Sequence, residues 1–250
     1  MGGLFSERAW AVVLAHKANF IQGFSVTVES ALGGILIAAV LGVLLGLMGV
    51  SSRKVPKTLN RIYVEAIQNT PLILQLCILY YALSFSGHKI GVLAAGIISL
   101  GIYHGAYMAE VIRAGIEAVP KGQFEAGYAQ GFNMVQVMWY IILPQAFRKI
   151  VPTLMSQVIT IIKDTSFMAN VATIELMARV NKVLSGAALY NGTGTINVSD
   201  VFVLFGFAAL VYFVINYTLS CAVRHVQASL EREGVTEPVA EMPANVEMAK

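Results

Sequence analysis

Residues Lys121–Phe147 read KGQFEAGYAQGFNMVQVMWYIILPQAF. The first half of this stretch is polar and rich in turn formers, yet it lies between runs that are almost wholly apolar. From Gln123 to about Met134 the residues suit a short amphipathic helix. Phe124, Tyr128 and Phe132 recur at four-residue steps and so fall on one face. Glu125 sits in the first turn, where its charge meets the positive end of the helix dipole. Gly131 either ends the helix or makes room for a partner's backbone. Pro144 and Pro152 punctuate the apolar run that follows. A helix of this kind lies on a membrane surface or fills a groove in a partner protein.

The flanking runs decide the solvent. Of the 250 residues, 57% are hydrophobic and 12% are charged. A soluble domain carries about 25% charged residues, so too little polar side chain is present to coat a water-facing surface. A membrane-crossing helix needs about 20 predominantly apolar residues, and five such stretches are present. They are Gly23–Val50, about Arg61–Phe85, Ile90–Ala114, about Val137–Ile162 and Val201–Val223. No stretch alternates with the period of a membrane barrel strand. The expected fold class is all-α, a polytopic membrane protein with five transmembrane helices.

Lys and Arg set the orientation. Eleven of them fall on the side that carries Arg53–Arg61, Lys121 and the C-terminal end, against five on the other, with Lys163 inside apolar sequence. This predicts an N-terminus outside and a C-terminus in the cytoplasm. The net charge of +3 follows from that asymmetry and gives no reason to expect nucleic acid as a partner. Residues 1–22 form an N-terminal periplasmic or interfacial segment without the features of a signal peptide. In it Trp10, Val13 and Leu14, with Phe20, suit an interfacial amphipathic helix. Residues 23–224 form the transmembrane domain, with the polar central helix at about 122–134. Residues 225–250 read as a cytoplasmic, disordered tail. Cys77 and Cys221 both fall in spans and read as packing residues. The spacings Gly42/Gly46 and Gly101/Gly105 let helix backbones approach closely within the bundle.

The central segment carries a resemblance. EAGYAQGFNMVQVMWYIILP is similar to the signature loop of permease subunits in ATP-binding-cassette (ABC) importers: Glu-Ala-Ala, three residues, Gly, nine residues, Ile, one residue, Leu-Pro. Glu125, Ala126, Gly131, Ile141, Leu143 and Pro144 match at the right spacing. Gly127 departs from the family's usual Ala, a change worth about 1 kcal/mol of helix propensity. The stretches Asn69–Leu83, His104–Gln123 and Lys163–Ser166 (KDTS) resemble the polar-amino-acid subgroup, and the likeness covers roughly Gly23–Val223. It implies a type I ABC importer permease fold and a coupling helix that seats Phe124, Glu125, Ala126, Tyr128, Gly131, Phe132, Leu143 and Pro144 against a cytoplasmic ATPase.

It implies partners as well: two ATPase subunits that bind ATP and Mg, a second permease copy or a sister permease, and an extracytoplasmic solute-binding protein. Membrane lipid surrounds the spans and an amino acid is the substrate. The chain itself would hold no cofactor and no metal. It has no G-x-x-x-x-G-K-[ST] and no H-E-x-x-H, and its histidines lack ligand spacing. No catalytic constellation is present, so it does not read as an enzyme.

Ionisable residues inside a membrane are costly and tend to face a cavity. Tyr103, Tyr107 and Glu110 share a face of the third span. Arg113, three residues on, pairs with Glu110 or is drawn off by Glu117, which leaves Glu110 free for substrate. Lys163 and Asp164 neutralise each other or bind the carboxylate and ammonium of an amino acid. Thr165 and Ser166 are placed to cap a half-helix that starts within the membrane. The resemblance supports the second reading, because this motif lines the translocation path in similar permeases. Asn69, in the interruption Gln68–Pro71, is a further candidate. Glu110 cues a cationic substrate and Lys163 an anionic one. The expected function is ATP-driven import of a polar amino acid across the bacterial cytoplasmic membrane. The alternative is an ion-coupled secondary amino-acid transporter, in which Glu110 and Asp164 relay protons.

Overall fold

A computed structural model describes residues 6–87, 90–171, 173–190 and 195–232, and among these the chain is helical, with no strand. The elements are α1 (Glu7–Ala15), α2 (Lys17–Gly49), α3 (Lys54–Gln68), α4 (Leu72–Phe85), α5 (Val92–Glu117), α6 (Lys121–Ala129) and α7 (Met134–Gln136). A π-helical segment (Val137–Ile142) leads into α8 (Leu143–Asp164) and a 3-10 segment (Thr165–Val171), followed by α9 (Leu176–Tyr190) and α10 (Val198–Arg232).

Helices α2 and α5 form the centre by interlocking small residues with large ones. A Cβ on Gly42 would lie 2.6 Å from Met108 Cβ, and one on Gly46 would lie 2.8 Å from Ile112 Cβ. Reciprocally, a Cβ on Gly101 would lie 2.4 Å from Ile37 Cγ2, and one on Gly105 2.9 Å from Leu41 Cβ. Each helix therefore accepts the other's side chains where its own are missing, as close packing in lipid requires. Both glycine pairs expected to serve packing do so within this chain. The opposite flank of α2 leaves Leu32, Leu36, Val40 and Leu44 exposed, which suits contact with acyl chains.

The expected second span is broken. Helices α3 and α4 meet at 99°. Pro71 has no N–H to give and cannot continue α3. The carbonyls left open at the end of α3 are covered by side chains. Asn69 Nδ2 donates to Glu65 O at 2.7 Å, Thr70 Oγ1 to Ala66 O at 2.8 Å and Gln75 Nε2 to Ile67 O at 2.9 Å. Tyr63 ties α3 to α5 by donating to Ile102 O at 2.6 Å.

Helices α2, α5 and α10 are long and apolar enough to cross a membrane, and the bent α3–α4 pair makes a fourth span if counted as one. The expected fourth span, about Val137–Ile162, corresponds to the π-helical segment and α8, and α8 is long enough but not apolar enough. One face of α8 is polar. Lys149, Thr153, Ser156, Thr160 and Lys163 line it, while Ala146, Ile150 and Ile161 are buried on the other side. Between Asp164 and Asp200 the described chain is largely the 3-10 segment and α9. Helix α10 continues beyond the expected end at Val223 to Arg232, so residues 225–232 are helical rather than disordered. Residues 233–250 of the expected tail lie outside the described residues.

At the N-terminal end, α1 is capped by Ser6, whose Oγ accepts from Ala9 N–H at 3.2 Å. It buries Ala9 and Val13 against α9 and α10 and leaves Trp10 and Leu14 exposed, so that Val13, and Phe20 in α2, do not join the expected interfacial face. The first span begins at Lys17, ahead of the expected Gly23. Cys77 and Cys221 are both free thiols.

Candidate functional site

Two regions carry the chemistry. The first is built around α6. Helix α6 stops because Gly131 adopts φ +84°, a left-handed conformation that costs little only for glycine. The closing bonds are those of a Schellman motif: Phe132 N–H donates to Gly127 O at 3.2 Å, and Gly131 N–H donates to Tyr128 O at 2.9 Å. Beyond it, Asn133 and Gln136 form a reciprocal capping box at 3.0 and 2.9 Å.

This turn changes the expected aromatic face. Phe132 no longer shares a helix with Phe124 and Tyr128. Phe124 and Phe132 both pack inward, against the cluster of Ile112, Ile116, Val137 and Ile142. Tyr128 alone of the three is well exposed, at 46%, beside exposed Glu125 and Ala126. The outer surface of α6 therefore includes Glu125, Ala126 and Tyr128, and the two phenylalanines anchor it from beneath.

Gly127, the departure from the usual loop pattern, is buried. A Cβ there would lie 2.8 Å from Val137 Cγ2 and 2.9 Å from Ile141 Cδ1. The missing methyl lets α6 lie close on the π-helical segment, which offsets its low helix propensity. The π-helical turn itself has a cause in Pro144, whose ring would press on the carbonyl one turn back and which has no N–H to offer it. Widening the helix over Val137–Ile142 relieves that clash. Gln145 then donates to Ile141 O at 2.8 Å and to Gln123 Oε1 at 3.2 Å, which joins α8 to α6. Leu143 packs against the same cluster as Phe124.

The second region lies where α5 meets the far end of α8. Tyr103 and Tyr107 share a face as expected, with hydroxyls 3.1 Å apart. Between them is His104, only 2% exposed, with ring centroids 5.2 Å from Tyr103 and 6.3 Å from Tyr107. His104 Nε2 stands 3.2 Å from Asp164 Oδ2 but out of line for a hydrogen bond, and neither ring nitrogen has a hydrogen-bond partner. Asp164 thus turns toward α5 and not toward Lys163, whose exposed side chain makes no ion pair among the described residues.

Thr165 and Ser166 do not cap a new α-helix. Their hydroxyls donate back to Ile162 O and Lys163 O, both at 2.8 Å, and the chain continues into the 3-10 segment. Glu110 is engaged at both oxygens by Arg113, at 2.5 and 2.8 Å, and Arg113 also reaches Glu117 at 2.5 Å. Arg113 therefore holds both carboxylates, and Glu117 does not release Glu110. Exposed Asn69 uses its amide nitrogen at the end of α3.

Two features escaped the sequence reading. His104 was placed there in the third span, but with no partner named. Glu175, fully buried, caps α9 by accepting from Met177 N–H at 2.8 Å and Ala178 N–H at 2.6 Å. It also accepts from Tyr212 of α10 at 3.0 Å and from Thr27 of α2 at 3.5 Å. The polar face of α8 did have a signal: polar residues at steps of four, three, four and three from Lys149 to Lys163.

An all-helical membrane protein with a short polar helix locked onto the start of a helix with one polar face has the architecture of a type I ABC importer permease. Residues 19–232 match the family described as binding-protein-dependent transport system inner membrane component, and the chain belongs to that family. It is 35% identical over 212 residues to the probable glutamine ABC transporter permease protein GlnP of Bacillus subtilis, covering 85% of this chain and 94% of that protein. It is 30% identical to the L-cystine transport system permease protein TcyB of the same organism, over 84% of this chain and 86% of the other. Among solved structures, an amino acid ABC transporter crystallised with histidines superposes with a TM-score of 0.74 at 29% identity, over 88% of this chain and 96% of that one. The MetNI methionine ABC transporter, at 19% identity and a TM-score of 0.56 over 89% of this chain and 99% of that one, shares the fold.

Proposed function

We propose that this inner-membrane permease carries a polar amino acid inward and is driven by a separate ATPase seated on α6. The observation that carries the reading is the construction of α6. Its outer residues Glu125, Ala126 and Tyr128 are exposed, Phe124 and Phe132 fix it from below, and Gln123–Gln145 joins it to α8. A groove in the ATPase takes that outer surface. ATP and Mg bind to the ATPase, and closure of its two copies moves α6 and, with it, α8. Two permease chains, identical or sister copies, enclose the path, and the polar face of α8 lines it. The N-terminus is outside, where a solute-binding protein delivers substrate, and the C-terminus is cytoplasmic.

The substrate pauses at the far end of α8. Lys163 takes the carboxylate, Asp164 takes the ammonium, and Tyr107, Thr165 and Ser166 border the site. Glu110 and Asn69 serve as structural partners of Arg113 and of the α3 terminus. The relatives described as glutamine and cystine permeases support an amino acid as cargo.

The test is reconstitution of the permease with its ATPase and binding protein in liposomes. Uptake is expected to require ATP, and Glu125→Arg with Ala126→Trp is expected to abolish uptake and ATPase retention while leaving insertion intact. Unchanged assembly and uptake in that variant, or uptake that survives ATP depletion, would overturn the reading.

A further inference from the structure

We infer that the groove between α1, α2 and α10 holds one acyl chain of an anionic phospholipid whose phosphate pairs with Lys17. The groove shares no residue with α6 or with the candidate substrate site, so the inference goes beyond the transport reading. Its volume is about 540 Å3. Buried Phe20 and Leu176 line its floor, and exposed Ile21 of α2 and exposed Leu210 and Val214 of α10 line its sides. Lys17 lines it where α1 gives way to α2.

The groove is built into the packing. Phe20 and Phe207 bring α2 and α10 together with ring centroids 5.1 Å apart. Leu176 N–H donates to Thr27 Oγ1 at 3.2 Å, and Tyr212 donates to the adjoining Glu175 at 3.0 Å. The α9 residue at the floor is thereby fixed to both α2 and α10.

The lining selects the occupant. Lys17 is the one polar residue among the described residues that line the groove, so water finds too few partners to fill it. Along α2 the groove runs from Lys17 to Phe24, about 10 Å at 1.5 Å per residue. Half of a hydrocarbon core about 30 Å thick is about 15 Å, so the groove takes most of one acyl chain in one leaflet. Lys17 is exposed and has no ion-pair partner among the described residues. A free cation beside an apolar groove matches an anionic head joined to an apolar tail. A two-fold contact through the groove would instead bring Lys17 toward the Lys17 of a second copy, and like charges oppose that.

The full-length permease, purified in mild detergent with the subunits that accompany it, is delipidated and titrated with phosphatidylglycerol or phosphatidylcholine. Native mass spectrometry counts the lipids bound. Phosphatidylglycerol is expected to bind at least fivefold more tightly than phosphatidylcholine, at one site per permease chain. Lys17→Gln is expected to remove that preference. Lys182→Gln, at an exposed lysine of α9 outside the groove, is expected to leave it intact. Val214→Trp fills the groove from an exposed position and should weaken both lipids about fivefold with no change in elution volume. Equal binding of the two lipids by the parent, or a preference that survives Lys17→Gln, would overturn the phosphate assignment. Unchanged binding by Val214→Trp would overturn the acyl-chain assignment. Ile21→Cys that cross-links to a second permease copy in intact membranes, in a background carrying Cys77→Ser and Cys221→Ser, would assign the groove to a protein contact and overturn the proposal. Each outcome leaves ATP-driven uptake to be decided by its own test.

Discussion

Gln123 of α6 and Gln145 of α8 are hydrogen-bonded at 3.2 Å, and the same Gln145 amide donates to the carbonyl of Ile141 at 2.8 Å. One side chain thus fastens the short polar helix to the first turn of a 22-residue helix whose last residues are Lys163 and Asp164. At 1.5 Å per residue α8 spans about 33 Å. On the proposed reading, a displacement of α6 would be handed through this side chain to α8 and the candidate substrate site at its far end.

Gln145→Ala should therefore weaken coupling more than it weakens the fold. A net hydrogen bond contributes about 0.5–1.5 kcal/mol, so thermal stability should fall slightly. Uptake per ATP hydrolysed should fall more steeply. Measuring both rates in the same proteoliposomes checks this, and a proportional drop in the two would show that the link does not transmit motion.

The two glycines of the α6 loop should respond differently. Gly131→Ala forces an alanine to φ +84°, at a cost of about 1–2 kcal/mol, although nothing lies within 4 Å of its Cβ. Gly127→Ala keeps a helical backbone but drives its methyl against Val137 and Ile141. The expected outcome is lower stability for both, with a second substitution, Val137→Ala, rescuing Gly127→Ala and leaving Gly131→Ala unaffected. Gly122→Ala, with open space and no positive φ, is the neutral control. Thermal unfolding in detergent reads all four.

How far the sequence reached depended on where each residue's partners come from. Helices α2, α5 and α10 were legible because lipid demands apolarity along a continuous stretch. The break at Pro71 was legible as a polar interruption, but its 99° angle was not, since that angle depends on how α4 packs against α5. The aromatic face of α6 was misread at Phe132 because helical spacing was carried through Gly131. The close approach at Gly127 required knowledge of the π-helical segment beneath it. His104 and Asp164, 60 positions apart in sequence, meet only once α5 and α8 are packed.

The interlock of α2 and α5 predicts a sharp contrast among glycines. Gly42→Leu or Gly101→Leu places a large side chain where a single Cβ would already lie 2.6 or 2.4 Å from its neighbour. Overpacking commonly costs about 1–3 kcal/mol, and here the backbones would have to separate. Both variants should lose most folded protein after solubilisation. Gly206→Leu, which meets nothing within 4 Å, should not. Fluorescence-detected size exclusion of tagged variants distinguishes them.

Glu175 offers the last test, because its role can be separated by chemistry from that of a generic buried residue. Three donors converge on its carboxylate, two backbone N–H groups of α9 and the Tyr212 hydroxyl, while the Thr27 hydroxyl, 3.5 Å away, is shared with the Gly23 carbonyl at 3.1 Å. Thr27 in turn accepts from Leu176 N–H at 3.2 Å, so α2, α9 and α10 are pinned at one point. An acceptor-only group suits this ring of donors. Glu175→Gln keeps the shape but aims an NH2 at groups that themselves donate, whereas Glu175→Ala removes every acceptor. Losing a helix cap costs about 0.5–2 kcal/mol, and each buried donor left unpaired adds about 1–3 kcal/mol. Both variants should be destabilised, the alanine more. In hydrogen exchange the loss of protection should concentrate at Met177 and Ala178, the residues whose amides the carboxylate holds. Uniform exchange across the bundle, or a glutamine variant as stable as the parent, would show that the carboxylate does not pin these helices.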